Sequence, residues 1–132
     1  MLKHDFIAIA IAGVFLATPA LALDINSFRA QHGRPALSAS SSLAAAAYEH
    51  AHSLARRQQL DHAGFRQRLG AIASTAAENV AVGCETQDCA IRMWARSGRH
   101  RANMLMGGIS RYGIASATAG NGRRYWVLEL GN

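Results

Sequence analysis

Trp94-Ala95-Arg96-Ser97-Gly98-Arg99-His100-Arg101-Ala102-Asn103-Met104-Leu105 and Glu78-Asn79-Val80-Ala81-Val82-Gly83 are the two most specific strings in the chain. With His62 they put two imidazoles and one carboxylate on three separate segments. Such groups converge only through tertiary structure. Converged, they form either a metal site or a buried polar network, and that choice separates a catalyst from a binding scaffold.

The segments around these strings read as alternating helices and strands. Thr86 caps a helix running to about Ser97, with Ile91 and Trp94 on one face and Gly98 as its stop. A shorter helix or turn carries His100 to Leu105, and Gly107-Gly108 breaks the chain. Glu78 to Gly83 is a strand or an extended loop. Downstream, Tyr112 to Ala117 and Arg124 to Leu130 read as strands. Asn121-Gly122 between them is a hairpin signal, because both residues tolerate positive φ. Trp126, Leu128 and Leu130 alternate toward the core, with Tyr125 and Glu129 on the other side. Upstream, Asp24 to Gly33 predicts a short helix with Ile25, Phe28 and Arg29 on one side. Ser38, Ser40, Ser41 and Ser42 supply N-cap candidates for a long Ala-rich helix ending near Gln59. Its apolar stripe is Leu43, Ala47, Ala51 and Leu54, with Ala46 and His50 beside it. Phe65 to Leu69 predicts a short helical turn.

Residues 1–22 resemble a secretory signal: an uncharged apolar run from Phe6 to Leu16, a break at Thr18-Pro19, and the small-x-small site Ala20-Leu21-Ala22. Cleavage is expected after Ala22, leaving residues 23–132 as one domain in a secreted or periplasmic compartment. The alternative is an uncleaved anchor, since Phe6 to Leu23 carries no charge. From Leu23 onward every basic residue is Arg, thirteen of them against seven acids. That excess favours anionic envelope surfaces. The arginines are dispersed and no basic run carries interleaved aromatics, so no nucleic-acid partner is expected. Cys84 and Cys89, the only cysteines, predict a disulfide across a tight loop in an exported protein, with free thiols as the alternative.

These motifs, in this order, resemble the CAP superfamily of cysteine-rich secretory, antigen 5 and pathogenesis-related 1 proteins, and within it the short bacterial SCP-like members. The resemblance runs from about Phe28 to Leu130. It rests on Arg34-Pro35-Ala36-Leu37, His50-Ala51-x-x-Leu54-Ala55, Leu60-Asp61-His62, Ala77-Glu78-Asn79-Val80-Ala81, the Trp94 to Leu105 string, Tyr112-Gly113-Ile114 and Tyr125-Trp126-Val127-Leu128. It implies an α+β fold, a three-layer α-β-α sandwich around a small antiparallel sheet. It also implies a cavity lined by two His and two Glu. His62, Glu78 and His100 match three of the four. Ser97 stands at the second acidic position of the longer members, so the tetrad is incomplete.

Two imidazoles and a carboxylate suit zinc, which His62 and His100 would hold with open positions left for water. A hydrolase would add Glu78 as general base to a metal-bound water. The bland reading is structural: Glu78 and Asn79 as buried, hydrogen-bonded groups, and His62 and His100 lining a metal-free polar cavity. Ser97 is expected at the cavity as well; as a nucleophile it lacks an oriented base and an oxyanion hole, and it reads more simply as a cap. Met104 and Met106 sit in an apolar stretch that could touch a lipid-like ligand, or simply form a core edge. The expected function is an exported binding or interaction module with a His/Glu cavity for a divalent metal and a small apolar or lipid-like ligand. A metal-dependent hydrolase and an envelope-bound module are the alternatives.

Overall fold

The computed structural model describes residues 12–14 and 21–132. Most of the expected signal segment, residues 1–22, lies outside the described residues. Nine elements follow: α1 (Ile25–Gln31), β1 (Ser38–Ala39), α2 (Ser41–Arg57), α3 (Phe65–Leu69), β2 (Ala76–Val82), α4 (Gln87–Ala95), α5 (Gly98–Met104), β3 (Arg111–Thr118) and β4 (Arg124–Gly131). Among the described residues no helix is long and apolar enough to cross a membrane.

Local chemistry sets several of these bounds. Asp24, Ser40 and Thr86 each accept a hydrogen bond from the backbone N–H three residues on, so each starts a helix at its own position. The Cys84–Cys89 disulfide closes the loop just before α4, with Cα atoms 5.5 Å apart. Gly98 does not stop α4 as expected. It is the first residue of α5, and α4 ends at Ala95 because the chain turns at Arg96 and Ser97. At the hairpin only Gly122 has positive φ; Ala119 N–H donates to Arg123 and Gly122 N–H to Ala119. The turn is thus longer than a two-residue Asn-Gly loop.

The strands form one sheet in the order β1-β3-β4-β2. The β3–β4 and β4–β2 pairs are antiparallel. The expected antiparallel sheet is corrected at its edge, where the two-residue β1 runs parallel to β3. Helices cover both faces. On one, Ile25 and Phe28 of α1, Ile91 and Trp94 of α4 and Met104 of α5 pack against Trp126, Leu128 and Leu130. On the other, Ala47, Ala51 and Leu54 of α2 pack against Val80, Tyr125 and Val127. This is the three-layer α-β-α sandwich. It corrects the reading of β4: Tyr125 and Glu129 do face away from Trp126, but that side is also buried, at 2% and 0% exposure.

Close approach of α2 has a specific cause. A Cβ on Gly113 would lie 2.1 Å from the Ala44 backbone nitrogen, so only glycine lets the start of α2 lie on β3. Gly113, Glu129 and Glu78 are register partners across β3, β4 and β2, forming one row on the α2 face. The row begins where the helix touches the sheet and ends in two acids.

Candidate functional site

The two acids are adjacent because antiparallel partners in one register project from the same face. Both are buried, Glu78 at 5% and Glu129 at 0% exposure. Burial of two neighbouring carboxyls demands partners, and α2, α3 and the segment between them supply these. His62 Nδ1 donates to Glu78 Oε1 at 2.7 Å. Arg68 of α3 forms a salt bridge with Glu78 Oε2, with its side chain only 10% exposed. His50 of α2 lies 3.6 Å from Glu78 Oε1 and donates from Nε2 to the Asp61 carbonyl at 2.8 Å. That last bond pins the segment carrying His62 to α2.

Glu129 is placed differently. Arg68 Nε stands 3.8 Å from its Oε1, and no protein donor reaches either oxygen within hydrogen-bonding distance. The partner left to it is the Glu78 carboxylate, which accepts when Glu129 keeps its proton. Burial, followed by the Glu78 hydrogen bond and charge, pushes Glu129 up to about 10. For Glu78 burial is the largest influence and acts upward, but hydrogen bonds from Glu129, His62 and Arg68 outweigh it and hold the group below its usual range. The pair is one protonated and one ionised acid, with Arg68 balancing the charge.

His62 is the side chain that leaves this network for solvent, at 53% exposure. With Nδ1 committed to Glu78, its Nε2 side is free to meet a ligand. It opens into a cavity of about 310 Å³ lined by His62, Phe65, Ala76, Ala77, Glu78, Asn103 and Met106. A second hollow of about 350 Å³ shares Phe65 and Ala76 and adds Leu69 and Ala73. Met106 reaches the wall because buried Arg29 donates to the carbonyls of Pro35, Met104 and Met106, at 2.8, 2.9 and 3.1 Å.

The expected site residues separate into two groups. His62, Glu78 and Met106 line the cavity. His100, on α5, is partly buried and, against expectation, is not among the residues that line this cavity; burial and then the charge of His62 lower its pKa. Asn79 and Ser97 depart from expectation, and Met104 takes the core place that was its alternative. Asn79 faces the opposite side of β2, donating to the His100 carbonyl at 3.0 Å and accepting from Asn103 at 2.9 Å. It positions α5 and does not line the cavity. Ser97 occupies the N-cap position of α5, makes no side-chain cap bond and is absent from the cavity wall. Met104 is fully buried core. Trp94 and Trp126 are core as expected, each donating its indole N–H to a buried carbonyl, of Val80 and Cys84. His50, Arg68, Phe65 and Glu129 were not anticipated here. Of these, only His50 carried a signal, its place beside the apolar stripe of α2.

A zinc ion would need donors that the network already uses. Both oxygens of Glu78 are engaged, one by His62 and one by the fixed positive charge of Arg68. Among the described residues no group of three or more His, Cys, Asp or Glu is arranged to hold a metal ion. Two imidazoles remain, short of the three protein ligands usual for a catalytic zinc. The donor set does not fit the group.

Comparison with known proteins agrees with this architecture. The fold is similar to that of an outer surface protein of Borrelia burgdorferi, with TM-score 0.73 and 19% identity over 82% of this chain and 86% of that one. An extracellular SCP-domain protein of Bacillus anthracis gives TM-score 0.67 and 20% identity, over 79% of this chain and 37% of that one. A cysteine-rich secretory protein of Staphylococcus aureus gives 0.65 and 22%, over 80% and 35%. The chain thus spans just over a third of these last two proteins. No curated protein matches it. The sequence pattern of the cysteine-rich secretory protein family, CAP, matches residues 24–130, and the chain belongs to that family.

Proposed function

We propose that this CAP domain is an extracytoplasmic binding module whose cavity takes a small amphipathic, lipid-like ligand. The observation that carries the reading is the composition of one wall: a half-exposed His62, oriented by a buried carboxylate, beside Phe65, Ala76, Ala77 and Met106. A ligand hydroxyl or carboxyl would meet the His62 imidazole. Its apolar part would lie on Phe65 and Met106 and continue into the adjoining hollow. Apolar lining with a few placed polar groups is the usual make-up of a small-molecule site. The outer-surface and extracellular settings of the Borrelia and Bacillus proteins support the location.

A resident zinc and a metal-dependent hydrolase are less well supported, because Arg68 already supplies the positive charge at Glu78. Two titrations test the reading. A fluorescent long-chain fatty acid should bind the wild type, and His62→Ala and Phe65→Ala should each weaken it roughly tenfold, about 1.4 kcal/mol. Absence of binding, or indifference to both substitutions, overturns the ligand reading. Calorimetry with zinc should give no stoichiometric binding. Zinc binding that disappears in the His62→Ala/His100→Ala double variant would restore the metal reading and with it the hydrolase alternative.

A further inference from the structure

The start of the folded domain contains an arrangement that cavity binding does not use. Leu23 is 8% exposed and packs with Ile25, Phe28, Ile91 and Trp94 in the core between α1 and α4. Leu21, two residues earlier, is 92% exposed. The change from solvent to core falls at the Ala22–Leu23 junction. At that junction the Leu23 backbone nitrogen donates to Asp88 Oδ1, across 65 residues of sequence. The other Asp88 oxygen accepts from Arg92 Nε at 2.9 Å.

Asp88 is held by rigid surroundings. It lies in the first turn of α4, where a negative charge suits the helix dipole. Thr86 caps that turn through the Cys89 N–H, and Cys89 is tied to Cys84 by the disulfide. The small-x-small site Ala20-Leu21-Ala22 ends at the same junction.

We propose that hydrolysis of the Ala22–Leu23 peptide bond by a signal-type peptidase creates an α-ammonium group that anchors on Asp88, so that processing strengthens the docking of the N-terminus on α4. Water is the co-reactant: Ala22 departs with a carboxylate, and Leu23 keeps the nitrogen, which carries a proton below about pH 8. A bond from a neutral amide to the Asp88 carboxylate becomes an ion pair between an ammonium and that carboxylate, stronger in kind. Asp88 then has a cation on each oxygen. Leu23 supplies the apolar anchor that holds the new terminus in place.

The inference rests on the secretory reading of residues 1–22 and is tested apart from the cavity. Every element among the described residues lies within residues 25–131, so a chain starting at Leu23 keeps all of them. Mass spectrometry of the exported protein should find Leu23 first. Thermal melts then compare chains starting at Leu23 and at Leu21, each with and without Asp88→Asn. In the Leu21 chain the charged terminus sits two residues out in solvent. Asp88→Asn should lower the melting temperature clearly more in the Leu23 chain than in the Leu21 chain. A different mature terminus, or equal losses in the two chains, overturns the proposal.

Discussion

Glu129 shows how one side chain's protonation is set by its place in a register. It is buried opposite Glu78, and with Arg68 satisfying one acid the other keeps its proton. The folded group holds that proton to about pH 10, whereas its ordinary value is 4.5. Between these values the folded state binds more protons than the unfolded state, so stability falls as pH rises. The contribution of Glu129 is complete below 4.5 and shrinks progressively above it. Glu78 runs the opposite way: its depressed pKa adds stability above 4.5 that is lost on acidification. Glu129→Gln imitates the protonated acid and does not titrate. Relative to wild type it should gain stability as pH rises, with a slope of at most about 1.4 kcal/mol per pH unit. Urea unfolding of both chains at about pH 5 and about pH 8 measures this. A stability difference that does not change with pH would mean that Glu129 ionises normally in the fold.

At the scale of elements, the site depends on how closely α2 sits on the sheet. The Cβ of an alanine at position 113 would lie 2.2 Å from the Leu43 carbonyl carbon as well as 2.1 Å from Ala44 N. Neither is a flexible side-chain end, so the helix itself must move. Gly113→Ala should cost at least about 3 kcal/mol, the upper end for overpacking, and should also lower affinity at the cavity, because His50 rides on the same helix. Chemical denaturation and the fatty-acid titration check both effects; a cost below about 1 kcal/mol would show that α2 shifts freely. Much of this element structure was legible in sequence. Asp24, Ser40 and Thr86 announce helix starts because capping is a local interaction, and Leu43, Ala47, Ala51 and Leu54 mark the buried stripe because its period is local too. Glu129 was not legible. Alternation puts it opposite Trp126, but only the tertiary placement of α2 and α3 makes that side an interior. Arg68 was hidden for the same reason: five helical residues carry no periodicity strong enough to say which arginine turns inward. Asn79 is drawn to the cavity by its place beside Glu78, and Ser97 by its match to the second acidic position of the longer family members. In the fold, the pleat sends Asn79 to the opposite face from Glu78, and the cap position holds Ser97 at the α4–α5 corner.

Among the described residues the buried charges are few: Glu78 lies with Arg68, the second acid is protonated, and Arg29 keeps its charge against backbone carbonyls. The formal excess of +6 is therefore carried largely at the surface. Arg92, Arg96, Arg99 and Arg101 are all exposed, and residues 92–101 contain no acid, although Arg92 is paired with Asp88. These exposed arginines would draw the domain to an anionic envelope surface, the second contact that the composition suggests. Attraction between exposed charges is screened over a Debye length of about 10 Å at 0.1 M salt and about 3 Å at 1 M. Retention on vesicles containing anionic phospholipid should therefore be strong at low salt and lost toward 1 M, and absent on neutral vesicles. Net charge alone would make all arginines equivalent. A local contact through residues 96–101 predicts that Arg96→Gln/Arg99→Gln/Arg101→Gln abolishes retention while Arg34→Gln/Arg56→Gln/Arg123→Gln, which removes the same charge elsewhere on the surface, reduces it only modestly. Equal loss in the two triple variants would make the attraction a property of total charge. Retention that survives high salt would point instead to apolar insertion.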